Sequence, residues 1–209
     1  MPSLTCADLI ATYPDEWQSA TIHPFLQQAQ QGTLAASQFN TWLVQDYLFV
    51  IEFTRMAAQL LAVAPSEHFD TLLSGMAALK DELLWFQIKA AERALLLTGS
   101  PQPTCQRYCQ FMADLASQPY AVQATAFWAI ELAYNQGWQR HAPMPEPYAE
   151  FADRWGNPGF TDYVSELERQ ADSALAVASG AEETAVKQVF VDVALLEKDF
   201  WQMAFNASK

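Results

Sequence analysis

The sequence predicts an all-α protein, a single-domain helical bundle over residues 1–209. Three observations carry this. Apolar residues recur at steps of three and four through most of the chain, and strict alternation is nearly absent. Chain breakers are few, 7 Gly and 11 Pro in 209 residues. Apolar residues make up 51% and aromatic residues 13%, enough for a sizeable core, with no repeat, low-complexity tract or linker dividing the chain.

The elements follow in order. Pro14 and Pro24 divide the N-terminal region into short helical pieces that end near Gly32. Residues 35–62 then read as one long helix with Phe39, Trp42, Asp46, Phe49, Phe53, Met56 and Leu60 on one stripe. A second long helix is expected over 67–98 through Leu72, Met76, Leu79, Leu83, Phe86 and Ala90. Gly99-Ser100-Pro101 punctuates the chain, and Pro103 suits the first turn of a helix over 104–117 that carries Tyr108, Phe111, Met112 and Leu115. Residues 119–141 carry Phe127, Ile130, Glu131, Tyr134 and Trp138. Pro143, Pro145 and Pro147 leave room for a short helix near 147–155, and Gly156-Asn157-Pro158-Gly159 reads as a turn. A helix from about 160 to 179 is expected to end at Gly180 as its C-cap. The last helix, 182–206, opens among Glu182 and Glu183 and has the stripe Val186, Val189, Val193, Glu197 and Trp201.

Composition narrows the function. With 11 Lys and Arg against 24 Asp and Glu, the formal charge is −13, and no basic stretch interrupts it. Such a surface repels duplexes and anionic membranes, so neither nucleic acid nor membrane is expected as a partner. The longest uncharged apolar runs fall far short of the about 18 residues of a membrane span. The N-terminal residues lack a basic region followed by an apolar one, so a soluble, cytoplasmic protein is expected. Cys6, Cys105 and Cys109 match no zinc spacing; Cys105 and Cys109 lie one helical turn apart, where packing as small hydrophobes is favoured over a metal pair.

The anomaly lies in the stripes. Asp46 is four residues after Trp42 and three before Phe49, on a face that should be buried. Glu131 stands between Phe127 and Tyr134 in the same way, and Glu197 between Val193 and Trp201. Glu82 lies at the edge of the Leu79–Phe86 stripe. A buried carboxylate costs several kcal/mol unless paired or protonated. One such acid is explained by a structural partner; three acids on three apolar stripes, flanked by aromatic residues, point to a pocket. Gathered carboxylates raise one another's pKa, which lets an acid and a base coexist near neutral pH. Tyr47, Tyr108, Tyr134 and Trp155 offer flat walls and hydroxyls for a planar, hydrogen-bonding ligand, such as a heteroaromatic amine.

Other chemistry lacks its residues. No Glu-x-x-His, phosphate-cradling glycine loop or Gly-x-Ser-x-Gly occurs, so no metal and no cofactor is expected. His23, before Pro24, is either a residue shaping a helix break or a haem ligand, the former favoured. His68 and His141 lie near helix ends.

Taken together, particular stretches give the chain a resemblance, over nearly its whole length, to the TenA/thiaminase II family of thiamin-salvage enzymes. They are His23-Pro24-Phe25, Gly32-Thr33-Leu34, Phe39, Gln45-Asp46-Tyr47, Phe127 to Glu131 with Tyr134, Arg154-Trp155-Gly156, and Glu197 to Ala204. The resemblance implies the helical fold shared with haem oxygenase, a homotetramer, and a site for a 4-amino-2-methylpyrimidine substituted at the carbon-5 methylene. It implies that Asp46 binds the ring nitrogen and amino group, that Phe49 stacks on the ring, and that Tyr108 and Trp155 form walls. Glu197 then serves as the acid/base at the leaving group. Where the thiaminase II branch has a nucleophilic cysteine two residues before the helix tryptophan, this chain has Ala126 before Trp128. The chain thus looks like the cysteine-less TenA_E branch, with Glu131, and with it Glu82, replacing the thiolate. Members of that branch from plants, with a similar Trp-Ala-Ile-Glu followed by Tyr, act as aminopyrimidine hydrolases.

The activity so implied is hydrolysis of 4-amino-5-aminomethyl-2-methylpyrimidine, or of its N-formyl derivative, to the hydroxymethylpyrimidine. Two alternatives belong to other classes. One is a non-catalytic binding protein for a thiamin-derived pyrimidine; the other is a tetrapyrrole enzyme with His23 as ligand, which three pocket carboxylates suit poorly.

Overall fold

Ten α-helices and two single 3-10 turns make up the regular structure of residues 3–207, the part of the chain that the computed structural model describes, and no strand occurs among them. Helix α1 (Cys6–Thr12) opens on a reciprocal cap. Thr5 Oγ1 accepts the Asp8 N–H at 3.2 Å, and the Asp8 carboxylate accepts the Thr5 N–H at 3.0 Å. Helices α2 (Pro14–Thr21) and α3 (Pro24–Gln30) each begin on a proline, where the missing N–H would have had no helical partner. His23 caps α3, its Nδ1 accepting the Phe25 N–H at 3.1 Å, the role expected of a residue shaping a helix break. The chain leaves α3 through Gly32, whose φ of +67° a residue with a Cβ adopts only with strain.

The long helices α4 (Ala36–Val63), α5 (Phe69–Glu92), α6 (Pro103–Asp114) and α7 (Tyr120–Arg140) follow, then α8 (Ala149–Gly156), α9 (Pro158–Leu175) and α10 (Gly180–Phe205). Contacts group them into two compact units, each assembled from separate stretches of chain. One comprises the residues up to Leu34 with Pro119–Asp199; the other comprises Ala35–Gln118 with the residues from Phe200 on.

In the first unit α7 packs against α8, α9 and α2. Every residue from Ala121 to Asn135 is buried, as expected of a helix whose faces are nearly all covered. Phe190 of α10 stacks on Trp17 at 5.1 Å and on Trp128 at 6.0 Å between ring centroids. In the second unit α4 packs against α5 and α6. Trp42 at its centre lies 6.3 Å from Phe86 of α5 and stacks on Trp201 of α10 at 6.4 Å.

Three helix ends differ from the sequence reading, each because a local cap outweighs composition. The helix expected over 67–98 begins as a 3-10 turn at Ser66–His68, continues as α5 and stops at Glu92. Ala94 takes a left-handed φ of +52°, and the Leu95 N–H turns back to the Ala90 carbonyl at 2.9 Å, a closure normally signalled by glycine. The turn expected over 156–159 shrinks to Asn157. Its Oδ1 accepts the Phe160 N–H at 2.9 Å and starts α9 at Pro158. Gly180 is not the C-cap of the preceding helix, which ends at Leu175; it opens α10. Ser179 and Glu182 form the cap there, with Ser179 Oγ accepting the Glu182 N–H at 3.3 Å and the Glu182 carboxylate accepting the Ser179 N–H at 2.7 Å. No helix among the described residues is long and apolar enough to cross a membrane.

Candidate active site

The stripes predict burial for the three acids, and all three are buried: Asp46 and Glu197 are 0% exposed and Glu131 is 8% exposed. Helical period places each among apolar neighbours that are themselves buried, Trp42 and Phe49 around Asp46, Phe127 and Tyr134 around Glu131, Val193 and Trp201 around Glu197. Placing even one carboxylate there costs several kcal/mol unless its surroundings offset it. Glu82 is only half-buried, in keeping with its place at the edge of its stripe.

In the second unit, α4 and α6 bring together Phe49 and Tyr108, whose ring centroids are 4.8 Å apart and tilted by 56°. Phe200 of α10 completes the cluster, 5.6 Å from Phe49 and 6.4 Å from Tyr108. Asp46 precedes Phe49 by one turn of α4, so it stands on the same face. Tyr47, one residue on, is half-exposed, and its hydroxyl accepts from Gln87 Nε2 at 3.3 Å.

Sequence reasoning assigned no role to Gln45, which ties this arrangement down. Its side-chain Oε1 accepts the N–H of Gln102, the residue that caps α6, at 2.7 Å, and its carbonyl accepts from Cys105 Sγ at 3.5 Å. Both bonds fix α6, with Tyr108, against the turn of α4 that carries Asp46. The Cys105 thiol is pushed up by its hydrogen bond to Cys109 and by burial, and the Asp46 and Glu52 carboxylates add to the shift.

In the first unit, Tyr134 of α7 meets Trp155 of α8 edge to face, 5.8 Å apart at 78°, while Trp155 stacks on Trp138 at 5.4 Å. Glu131 lies one turn before Tyr134 on the same face of α7. Asn135, 2% exposed and also unassigned in the sequence, holds this corner. Its Nδ2 donates to the Trp155 carbonyl at 2.8 Å and to Thr161 Oγ1 at 3.0 Å, and Thr161 Oγ1 in turn donates to the Asn157 carbonyl at 3.2 Å. The last turn of a helix leaves carbonyls without helical donors, and here α7 supplies one of them. Ala126 is fully buried on α7.

Buried acids on helix faces that also carry ordered aromatic pairs mark this as an all-α protein with candidate sites for a flat, polar ligand. The particular family follows from comparison. The model of the TENA/THI-4/PQQC family matches residues 13–207, and the chain belongs to that family. A soybean (Glycine max) protein named "Probable bifunctional TENA-E protein" is 34% identical over 200 residues, covering 90% of this chain and 87% of that protein. A protein named "Aminopyrimidine aminohydrolase" from Halalkalibacterium halodurans is 24% identical over 208 residues, 91% of this chain and 90% of that one. Among solved structures, a TenA homologue from Pyrococcus furiosus superimposes with a TM-score of 0.91 at 28% identity, covering 95% of this chain and 98% of that one. The fold is the all-α haem-oxygenase-like fold of these proteins.

Proposed function

We propose that this protein is a hydrolase of thiamin salvage that converts 4-amino-5-aminomethyl-2-methylpyrimidine, or its N-formyl derivative, into the hydroxymethylpyrimidine without a cysteine nucleophile. Family membership and the names borne by its relatives support the hydrolase class. The observation that carries the reading for this chain is the burial of three carboxylates on three otherwise apolar stripes. A fold does not retain so costly a set without a use for it.

The roles follow from the chemistry of the bond to be broken. Asp46 accepts from the amino group and binds the ring nitrogen, so that ring electrons assist departure of the group on the carbon-5 methylene. Phe49 and Tyr108 offer rings to the pyrimidine, and Tyr134 and Trp155 provide further aromatic wall. Glu197 gives a proton to the departing nitrogen. Glu131, with Glu82 as a second carboxylate, takes a proton from the attacking water. The new C–O bond replaces the broken C–N bond, and the leaving group departs as ammonia from the amine or as formamide from the N-formyl derivative. Water is preferred to direct carboxylate attack because a carboxylate is a weaker nucleophile than the thiolate it replaces. The buried alanine at position 126 supports a reaction that forms no thiol adduct. The enzyme is proposed to act in the cytoplasm as a homotetramer, each chain a single functional domain, a reading that rests on the family resemblance.

The experiment is turnover of the aminomethylpyrimidine by purified protein with ammonia as the readout. Ammonia is expected to appear in step with the hydroxymethyl product. Calorimetric binding of the pyrimidine with no product after hours overturns the catalytic reading in favour of a binding protein. Thiamin cleavage at the rate of cysteine-bearing enzymes overturns the water mechanism.

A further inference from the structure

Helix α5 packs on α4 and buries Leu72, Gly75, Leu79, Phe86 and Ala90. Its outer side is not the polar surface that an amphipathic helix usually turns to water. Phe69, Leu73, Leu84 and Ile88 lie there, exposed by 38%, 51%, 51% and 55%. At 3.6 residues per turn these four fall within about 100° of arc, on a strip that also carries the exposed Ala77. No other helix exposes more than one large apolar side chain among the described residues. A single exposed leucine is ordinary, whereas a row of four marks a surface that something covers.

The spacing of the row selects the occupant. Phe69, Leu73, Leu84 and Ile88 stand at intervals of four, eleven and four residues, an order that reads the same from either end. Its midpoint falls between Ala78 and Leu79. A two-fold contact between identical chains requires this property, because the patch must complement itself: residue i meets j while j meets i. An unrelated protein or a lipid surface imposes no such symmetry, and the formal charge of −13 repels an anionic membrane.

We propose that two copies of this chain associate through α5, the two helices packed antiparallel about a two-fold axis at that midpoint. Phe69 then meets Ile88 of the second copy and Leu73 meets Leu84 of the second copy, each pair occurring twice. Ala77, near the centre, has a small side chain that lets the helices approach closely. The exposed Lys80 lies opposite Ala77 of the second copy, about one turn, or ~6 Å along the axis, from that copy's exposed Asp81. Opposite charges thus come together across the centre of the contact, again twice. A strip about 28 Å long on a helix about 10–12 Å across, with its flanking side chains, buries on the order of 1,000 Å² in the pair. Specific interfaces begin near that area, so the contact is reversible and suits a Kd of about micromolar order. Within the proposed homotetramer it supplies one of the two-fold interfaces, and it is independent of the hydrolytic reading.

The test is sedimentation velocity at about 50 μM, above a Kd of that order. The unmodified protein is expected to sediment as a dimer or tetramer. Leu84→Glu and Leu73→Lys each set a charge against an apolar side chain of the second copy, and each should halve the mass. An equal mixture of the two variants should regain it, because the new ammonium faces the new carboxylate across one half of the contact while leucine still meets leucine across the other. Both positions are half-exposed, so the core is left intact, and circular dichroism checks that each variant is folded. Unchanged mass in both variants overturns the α5 contact and leaves any larger assembly to another surface. A mixture that stays at the lower mass overturns the antiparallel pairing. A monomeric unmodified protein overturns the self-association itself and makes a different protein the occupant of the strip. None of these readouts depends on pyrimidine hydrolysis.

Discussion

Replacing Asn135 by leucine tests whether one buried amide positions the Tyr134–Trp155 corner. Leucine has the branching and the number of side-chain heavy atoms of asparagine, so the change removes hydrogen bonds without opening a cavity. The Trp155 carbonyl loses a donor at 2.8 Å, and Thr161 Oγ1 loses one at 3.0 Å. The threonine hydroxyl is able to rotate, but the carbonyl belongs to the buried last turn of α8 and is held in place. An orphaned buried group costs about 1–3 kcal/mol. For a chain of this length each kcal/mol lowers Tm by about 2–4 °C, so a fall of about 2–12 °C is expected. Asn135→Asp should be at least as damaging, since it sets a carboxylate against that carbonyl in place of a donor. Thermal unfolding followed by circular dichroism measures the first effect. Pyrimidine turnover measures the effect on the site, with KM expected to rise more than kcat falls because Trp155 is proposed as a wall rather than a proton carrier. An unchanged Tm in the leucine variant, or an aspartate variant more stable than the leucine one, refutes the reasoning.

Other perturbations address separate parts of the molecule. Glu197→Gln should lower kcat by about 10²–10⁴ in the ammonia assay while calorimetry still detects pyrimidine binding; undiminished turnover removes Glu197 from its role. Gln45→Met should cost about 0.5–1.5 kcal/mol and speed hydrogen exchange at the Gln102 amide, read by NMR, because that N–H loses its 2.7 Å acceptor. Ser179→Ala should lower stability to urea by about 1 kcal/mol through loss of the α10 cap. Burial, and then the charge of Asp172, hold Glu168 above the ordinary glutamate range. The folded state thus binds that proton more tightly than the unfolded chain, and its contribution to stability declines as pH rises from the ordinary glutamate value through the raised one. Glu168→Gln should flatten this decline in urea midpoints measured between about pH 4 and 7.

Much of the fold was legible because a helix is a local object. The 3.6-residue period fixes which side chains share a face, so the stripes of α4, α7 and α10, and the burial of Asp46, Glu131 and Glu197 upon them, could be read from spacing alone. The same period could not say how far a marginal position is covered, and Glu82, at the edge of its stripe, is half-buried. Helix ends were less legible where a cap lacked its usual residue. Ala94 closes α5 in a conformation normally signalled by glycine, and Gly180 opens a helix because Ser179 and Glu182 form a box around it.

The amino-acid sequence by itself determined that the chain is helical, which faces are apolar and which acids intrude on them, since each depends on neighbours within a turn or two. Only the tertiary structure decided that Phe49 meets Tyr108, that Tyr134 meets Trp155, and that Gln45 and Asn135 hold them. Gln45 finds its partner 57 residues away and Asn135 finds one 20 residues away. Such hydrogen bonds depend on distance and angle across packed helices, and periodicity along one helix carries no record of what the next helix brings against it.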